Sequence, residues 1–551
     1  MKKRFLQILP IAVAVAAGGF YAWTAALAGG VLLFYLGYLV RQSGKLRLRL
    51  NYTVSALALI LLGYGLSVLW ATDHGMAGYG FVKFLPVALY ALVLMQHKPE
   101  ELRDILRIVP WAGAVMTAGT FLLQFVPVIS KYVLINSRLT GTFQYANTYA
   151  LYLLIGCVVL LFDRKPDRWT LILGAVLVFG IFASGSRTTV VLLGVLIVMF
   201  CVRSRNKKYI AGLAALLAAA ALAAVGLAAF GVIDSARFLT IFSTPATLLE
   251  RLLYWKDSLV LILSHPLGLG YLGYSTLQNS VQTGVYNTRF VHNEVLQLLL
   301  DVGWLPTGVL VSAWIRSFFR KDRDVLSRAV LFTVAAHAMI DFDLQFLSVW
   351  LLLIPAMDLT RGREIRVKKP LRPAAAVCGV LAAIGLWLGV GDCLYTFGLT
   401  DACLRVTPFY TEAWAQKLEA AATVDELALA TDRILALNDD AAIAHNARGD
   451  VAFSRGDIAE MVQEKECAIS LAPYYREYYC DYFDKVWQVM ERYQSMGDAE
   501  SERVCAEILR SIPQRLAQVR QKTDPIAWKL KHLPELELPE EYLQRLASLD
   551  A

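Results

Sequence analysis

The sequence predicts an all-α protein: a polytopic helical membrane domain followed by a separate α-helical repeat domain. Of the 551 residues, 57% are hydrophobic and only 18% are charged, whereas roughly a quarter of a soluble domain is charged. Mean hydropathy is +0.50, and the apolar residues form long runs up to residue 398. After residue 398 the chain becomes charged and Ala-rich. These features exclude a single soluble globule, a disordered chain and a fibre.

Apolar runs that can cross a membrane as helices recur throughout the first domain. A straight helix needs about 20 residues to cross a core of ~30 Å, and shorter helices are tolerated where the bilayer thins. We expect about thirteen spans. They lie at 5–22, 24–40, 52–70, 79–95, 108–126, 144–162, 170–184, 187–202, 209–230, 303–319, 328–342, 344–358 and 373–398. The sequence therefore divides into a membrane domain, 1–398, and a C-terminal domain, 399–551.

The charges of the loops predict the orientation of these spans. Alternate loops are basic, and the loops between them carry almost no Lys or Arg. The basic loops lie at 41–49, 98–107, 164–168, 203–208, 316–328 and 361–372. Lys and Arg favour the cytoplasmic side, so we expect a cytoplasmic N-terminus. The large loop 231–302 and the C-terminal domain are then extracytoplasmic, and the charge asymmetry indicates topology instead of a nucleic-acid partner.

The C-terminal domain carries a repeat of helical pattern. Similar segments begin near Pro408, Asp439 and Pro473, which are 31 and 34 residues apart, and a Gly-Asp turn lies at Gly456-Asp457. This pattern resembles tetratricopeptide repeats. Two interpretations stay open: a groove for a peptide or protein partner, or a helical cap that packs on the membrane domain.

Arginines on the outer face are candidates for binding an anionic substrate. They are Arg138, Arg187, Arg251 and, as a weaker candidate, Arg289. Converging guanidinium groups suit a diphosphate, because their planar forks match its oxygens and their charge stabilises a leaving group. Each arginine alone is equally well explained by snorkelling at the membrane interface. Four arginines on the side that membrane proteins leave poor in positive charge weaken that explanation.

His292 is the candidate general base. We expect a helix over His292–Leu300, whose N-terminus would disfavour the imidazolium and keep the ring able to accept a proton. A capping or core histidine is the more ordinary interpretation of this residue alone. His265 precedes Pro266 and is interpreted as a turn residue.

Other motifs give weaker signals. The Gly268-x-Gly270-x-x-Gly273 spacing matches a dinucleotide fingerprint, but no strand precedes it. His337, Asp341 and Asp343 form a weak candidate for a cation site, although such groups more often cap a helix end. The eight cysteines show no metal or redox spacing.

Four motifs in the order in which they occur resemble the O-antigen ligase and O-antigen polymerase family of bacterial membrane glycosyltransferases. They are RLTGTFQYANTYA, SGSRTTVVLLGV, RLLYWKDSLVLILSHPLGLGY and VHNEVLQLLLDVGWLPTGVL, all within residues 138–310. The last two are the most specific, and the resemblance covers the membrane domain only.

The resemblance implies a GT-C-like helical fold and a specific reaction. In that reaction, a glycan passes from an undecaprenyl-diphosphate-linked oligosaccharide to an acceptor hydroxyl at the outer face of the bacterial cytoplasmic membrane. Carried over by position, Arg138, Arg187 and Arg251 hold the donor diphosphate and His292 activates the acceptor. No cofactor is implied.

The acceptor and the class of protein have alternatives. A ligase uses a lipid acceptor, a polymerase joins repeat units, and a protein O-oligosaccharyltransferase uses Ser or Thr. A peptide groove in the C-terminal domain would favour the last. A polysaccharide transporter or flippase would need polar, broken helices that meet at mid-membrane. A membrane-anchored scaffold would need only one span.

Overall fold

The computed structural model describes most of the chain. The described residues are 2–163, 167–204, 246–359, 361–368, 372–530 and 532–549, with isolated residues between 210 and 229. The predicted span 209–230 and the first part of the loop 231–302 therefore lie outside the described residues.

The described part of the chain is built almost entirely from helices. In the membrane domain the helices are α1 Lys2–Val15, α2 Ala22–Ser43, α3 Tyr52–Ser67, α4 His74–Met95, α5 Pro99–Leu106, α6 Val109–Leu123, α7 Pro127–Val133, α8 Ala146–Phe162, α9 Arg168–Ser184, α10 Arg187–Ser204, α11 Ala246–Ser264, α12 Gly273–Val281, α13 Glu294–Val302, α14 Trp304–Phe319, α15 Val325–Ala338, α16 Leu347–Leu353 and α17 Arg372–Thr396. In the C-terminal domain they are α18 Thr400–Val406, α19 Thr411–Glu419, α20 Val424–Leu435, α21 Ala442–Arg455, α22 Ile458–Leu471, α23 Arg476–Met496, α24 Ala499–Lys522 and α25 Glu540–Ser548.

Four short strands and several 3-10 turns also occur in the described part of the chain. Strands β1 Leu46–Leu50 and β4 Arg363–Val367 form an antiparallel ribbon, although they are far apart in sequence. Strands β2 Leu134–Ile135 and β3 Arg138–Leu139 form a second, two-residue pairing. The expected all-α class is therefore confirmed, with small strand pairs at the ends of helices.

Within the residues that the structure describes, five helical segments are long and apolar enough to cross a membrane by length and composition, with α5 and α6 taken as one. They are Ala22–Ser43, His74–Met95, Pro99–Leu123, Arg187–Ser204 and Ala376–Thr396. Six further apolar helices of 10–17 residues are shorter than a straight crossing requires. The prediction of a helical membrane protein is thus supported, whereas the number thirteen stays a prediction.

Two predicted spans are wrong as continuous helices. The span 5–22 is broken after Val15, because Gly18 and Gly19 take positive φ angles of 65° and 76°. Neither position has room for a Cβ atom. At Gly18, for example, a Cβ atom would lie only 2.4 Å from the Phe143 ring. The span 344–358 begins in a 3-10 turn, Asp343–Gln345, and continues as α16 and a second 3-10 turn, Ile354–Ala356.

Loops that the charge pattern assigns to the same side of the membrane contact one another at the ends of the helix bundle. At one end, Arg107 pairs with Asp163 at 2.6 Å and Arg320 pairs with Asp358. These residues belong to or adjoin the loops that we expect to be cytoplasmic. At the other end, the Thr72 N–H donates to the Leu269 carbonyl at 3.0 Å. The compartment that each end faces stays a prediction.

The C-terminal domain contains three successive helix pairs. The first helices of the pairs begin at Thr411, Ala442 and Arg476, with the spacing of the sequence repeat. Gly456 ends one helix in a left-handed conformation and Asp457 caps the next, as the Gly-Asp turn predicts. The assignment of these pairs to tetratricopeptide repeats stays a prediction.

The C-terminal domain packs directly on the membrane domain. The Thr411 hydroxyl donates to the buried Asp73 carboxylate at 2.7 Å, and the Asn438 amide donates to the Thr276 hydroxyl at 3.0 Å. The cap that the sequence analysis left as one of two alternatives is therefore present. These contacts do not address whether the same domain also binds a partner.

Candidate active site

One buried carboxylate, Asp341, gathers four side chains from separate parts of the chain. Its Oδ1 atom accepts a hydrogen bond from the Tyr145 hydroxyl at 2.7 Å, and its Oδ2 atom accepts one from the Asn147 amide at 2.6 Å. An Arg251 nitrogen lies 3.4 Å from Oδ2, and His292 Nδ1 lies 3.3 Å from Oδ1. Because a buried carboxylate requires polar or cationic partners, Asp341 holds these groups together.

Arg138 joins the same network through Asn147. Its NH2 nitrogen donates to Asn147 Oδ1 at 2.5 Å, and the amide nitrogen of Asn147 then donates to Asp341. Its Nε atom donates to the Ser184 carbonyl at 2.6 Å. The structure therefore links two of the sequence-predicted arginines to Asp341: Arg251 directly and Arg138 through Asn147.

The expected helix start at His292 is wrong. The helix begins at Glu294, because the Asn293 side chain caps it by accepting hydrogen bonds from the N–H groups two and three residues later, both at 3.1 Å. His292 precedes the cap with a left-handed φ of 51°. The group next to its ring is therefore the Asp341 carboxylate and not a helix N-terminus.

The His292 ring sits in a partly enclosed aromatic environment. Its centroid lies 4.8 Å from the Phe342 ring, edge to face, and 5.9 Å from the Tyr254 ring. Its Nδ1 atom points towards Asp341 without the alignment of a hydrogen bond, and 18% of the side chain is exposed. A small rotation of the ring would bring Nδ1 into a hydrogen bond with the carboxylate and leave Nε2 for a substrate.

Consecutive residues fasten the His292 segment to the Asp341 segment. The Asn293 amide nitrogen donates to the Met339 carbonyl at 3.0 Å. Glu294 Oε1 accepts a hydrogen bond from the Leu344 N–H at 2.5 Å. Hydrogen bonds between these two side chains and the backbone on either side of Asp341 thus fix the position of the imidazole relative to the carboxylate.

A second network lies beside the first. The Asp343 carboxylate accepts a hydrogen bond from the Thr148 hydroxyl at 2.8 Å and lies 2.6 Å from His337 Nδ1. His337 Nε2 lies 3.1 Å from the Thr189 hydroxyl, which is 2.9 Å from that of Ser186. All five side chains are in the interior, so the chain of contacts links α8, α10 and α15.

Arg187 begins α10 directly after this network. The turn before it also contacts the first network, since the Ser184 carbonyl accepts the hydrogen bond from Arg138. The backbone of Arg187 is thus three residues from a contact of the Asp341 network. Arg187 itself is partly exposed.

Arg289 lies elsewhere, although it precedes His292 by only three residues. Its NH1 atom pairs with Glu412 Oε1 at 2.7 Å, and 43% of its side chain is exposed. Glu412 belongs to the C-terminal domain, in α19. The structure therefore does not bring Arg289 to Asp341, and its role as a weak donor-binding candidate stays a prediction.

The surroundings of Asp341 and Asp343 do not fit the weak expectation of a cation there. Each carboxylate faces hydroxyl, amide or cationic donors, which compete with a metal ion for the same oxygens. Within the ranges that the structure describes, no group of three or more His, Cys, Asp or Glu side chains could hold a metal ion. The glycine fingerprint forms turns, with φ angles of 84° at Gly268 and 78° at Gly270.

Burial sets the protonation of Glu294. It raises the pKa of the Glu294 carboxyl well above its ordinary value of 4.5, and the negative charge of Asp343 raises it further. Its Oε2 atom is buried and has no hydrogen-bond partner in the described structure. A neutral carboxylic acid is consistent with both observations.

Lys83 is a half-buried lysine of α4 that the sequence analysis missed. Its Nζ atom donates to the Tyr271 hydroxyl at 3.1 Å and lies 4.7 Å from the centre of the Phe20 ring. Lys83 and Glu294 line a cavity of ≈ 20 Å³, which is large enough for one water molecule. A single lysine in the apolar helix α4 was the signal that could have found it.

Comparison with known proteins addresses the family. Residues 172–311 match the family model described as O-antigen ligase. This range contains Arg187, Arg251, Arg289 and His292, whereas Arg138 and Asp341 lie outside it. No curated protein matches the chain. The match supports the resemblance to the O-antigen ligase family over residues 172–311.

Proposed function

We propose that the protein transfers a glycan from an undecaprenyl-diphosphate-linked donor to an acceptor hydroxyl at the outer face of the cytoplasmic membrane. The observation that carries the proposal is the convergence of Arg138, Arg251 and His292 on Asp341. Cations for a diphosphate and a base for an acceptor are thereby held within one network. The family match over residues 172–311 supports the same reaction class.

The arginines supply the electrostatic part of the reaction. The bond between the anomeric carbon and the diphosphate oxygen breaks, and its electron pair leaves with undecaprenyl diphosphate. Guanidinium groups of Arg138, Arg187 and Arg251 hold the oxygens on which this charge develops. The hydrogen bonds that position Arg138 fix its orientation before the donor binds, which reduces the cost of reorganisation.

His292 supplies the acid–base part. The acceptor oxygen forms the new bond to the anomeric carbon and gives its proton to the imidazole. The Asp341 carboxylate beside Nδ1 stabilises the imidazolium that results, as a carboxylate does in other histidine-based sites. Asp341 therefore acts as a positioning residue, since it contacts the base and the arginine without contacting the acceptor.

An acceptor panel tests the proposal. Purified protein in liposomes receives an undecaprenyl-diphosphate oligosaccharide together with a lipid acceptor, a glycan repeat unit or a Ser/Thr peptide. We expect one acceptor to gain the glycan while undecaprenyl diphosphate is released. An intact donor with every acceptor would overturn the proposal, and movement of intact donor between leaflets would identify a flippase instead.

A further inference from the structure

The ribbon formed by β1 and β4 has one apolar face and one charged face. Its register pairs Leu46 with Val367, Arg47 with Arg366, Leu48 with Ile365 and Arg49 with Glu364. Directly opposed residues share a face of an antiparallel pair, and successive residues alternate between faces. One face is therefore mainly apolar and carries Leu46, Leu48, Leu50, Ile365 and Val367, with Arg363 opposite Leu50 at its end. The other face is charged and carries Arg47, Arg49, Glu364 and Arg366.

Contacts with the membrane domain hold the ribbon in a defined orientation. The Gln96 side chain, just after α4, accepts a hydrogen bond from the Arg47 N–H at 3.0 Å and donates one to the Arg47 carbonyl at 2.8 Å. The Asn51 amide donates to the Asp358 and Arg361 carbonyls at 3.1 and 2.8 Å. A two-stranded ribbon is marginal by itself in water, so these anchors determine which way its faces point.

The apolar face of the ribbon is not absorbed by the protein interior. Leu50 is 52% exposed, and the other four apolar residues are half-buried. None of the five occurs among the described residues that form the hydrophobic core or pack against it. An apolar surface in this state is stabilised only by a further apolar partner.

The position and charge of the ribbon identify that partner. The ribbon follows α2 and precedes α17, and both helices contain candidate membrane spans. Residues 41–50 and 361–368 contain eight Lys and Arg against one acidic residue, Glu364. An element that is apolar on one side, basic on the other and attached to the ends of membrane helices suits the boundary between acyl chains and anionic headgroups.

We propose that this ribbon binds anionic phospholipids of the adjoining leaflet. The apolar face lies against the acyl chains, and the guanidinium groups of Arg47, Arg49 and Arg366 bind headgroup phosphates. Glu364 pairs with Arg366 at 2.6 Å and lies 3.6 Å from Arg49, which orders these arginines on the charged face. The binding site is independent of the glycan-transfer reaction.

Native mass spectrometry of the full chain in detergent tests the proposal. The protein is mixed with equal amounts of phosphatidylglycerol and phosphatidylcholine that have identical acyl chains. We expect the wild type to retain phosphatidylglycerol preferentially. The variant Arg47→Gln/Arg49→Gln/Arg366→Gln should lose up to about 10²-fold of that preference, about fivefold for each charge near the surface. The variant Leu48→Asn/Ile365→Asn should also retain less lipid, because it removes the apolar contact.

A matched variant and a second measurement separate this effect from total charge. Arg455→Gln/Arg503→Gln/Lys522→Gln removes three exposed charges from the C-terminal domain and should keep the preference. Amide exchange of residues 46–50 should be slower in nanodiscs that contain phosphatidylglycerol than in phosphatidylcholine alone. Equal lipid retention by the wild type and the arginine variant would overturn the proposal. Full displacement of the lipid by soluble glycerol phosphate would do so as well, because the apolar face would then contribute nothing.

Discussion

At the residue scale, His292 is the most informative position to change. His292→Ala should reduce glycan transfer by roughly 10²–10⁴-fold, the usual effect of losing a general acid–base group. Binding of the donor should persist, because Arg138 and Arg251 remain. The rate is measured with purified protein and a lipid-linked donor. His265→Ala, at the end of α11, is the matched control and should keep nearly full activity; similar losses for both variants would contradict the role of His292.

Glu294 should tolerate an amide but not an aliphatic side chain. Burial raises the pKa of Glu294 and so favours its neutral form, and Glu294→Gln preserves an acceptor for the Leu344 N–H. Glu294→Leu leaves this N–H buried without a partner, which costs about 1–3 kcal/mol of folding free energy. Glycan transfer should therefore fall little in Glu294→Gln and more in Glu294→Leu, since this hydrogen bond fixes the segment that carries His292.

Ionisation of the Glu294 carboxyl should also make the folding stability of the protein decrease as the pH rises. A raised folded-state pKa contributes stability that is fully present below the unfolded value of about 4.5 and is lost as the pH rises through the folded value. Thermal melts of the wild type and Glu294→Gln are compared across this range. The wild type should lose stability relative to the variant above pH 4.5, and parallel curves would show that Glu294 ionises normally.

Arg187→Lys tests whether a planar fork is needed at the start of α10. Lysine keeps the charge but cannot bind two diphosphate oxygens side by side. We expect most of the transfer activity to disappear while the protein still inserts into the membrane. The same change at Arg503, an exposed residue of the C-terminal domain, is the control. Full turnover of Arg187→Lys would indicate that Arg187 only snorkels.

The sequence predicts the identities of several site residues better than their geometry. Arg138 and Arg251 follow from positive charge on the side that the loops predict to be poor in it, whereas His292 follows from its place near an expected helix start and from the family resemblance. The structure links all three to Asp341. Tyr145 and Asn147 were not singled out, because a hydroxyl and an amide next to a helix carry no distinctive pattern. Their importance appears only when Asp341, almost two hundred residues later, is placed beside them.

At the scale of elements, the C-terminal domain fastens the segment that precedes His292. The Asp524 N–H donates to the Thr283 carbonyl at 2.8 Å, and Lys256 pairs with Asp524. A Cβ atom on Gly284 would lie only 2.6 Å from the Ala527 Cβ atom. This close approach makes the domain a structural support for the outer loop.

Gly284→Ala should therefore loosen the loop that carries His292. The added methyl group forces the loop and the C-terminal domain apart, at a cost of about 1–3 kcal/mol. Hydrogen–deuterium exchange of residues 283–293 should become faster, and transfer should slow in parallel. Gly308→Ala is the control, since nothing lies within 4 Å of a Cβ atom there. Unchanged exchange in Gly284→Ala would show that the contact does not order the loop.

The helices depart from the predicted spans where local backbone preferences oppose the apolar pattern. Hydropathy cannot detect that Gly18 and Gly19 adopt left-handed conformations to pack against neighbouring helices. It also cannot detect that residues 343–346 form a 3-10 turn and an extended residue before α16. By contrast, Gly456 and Asp457 lie in a local signal for a helix end and a helix start, and the repeat period around them was predicted correctly.

At the scale of the whole molecule, the distribution of charge predicts that the C-terminal domain is extracytoplasmic. A membrane-impermeant maleimide should label Ser495→Cys in intact spheroplasts, in a chain whose native cysteines are replaced by serine. Ser43→Cys, at the opposite end of the bundle, should react only after lysis. The reverse pattern would invert the topology and place the candidate active site in the cytoplasm.

The shortness of α16 has a consequence for the lipid-linked substrate. Together with the 3-10 turn it spans Leu347–Ala356, ten residues that rise about 15 Å, or half of a ~30 Å hydrocarbon core. The carboxylates that precede it then lie well below the outer headgroups if its far end meets the inner interface. A polyprenyl chain would keep most of its length among the acyl chains while its first phosphate reached the arginines. The acceptor would then have to move farther from the aqueous phase than the donor to reach the site.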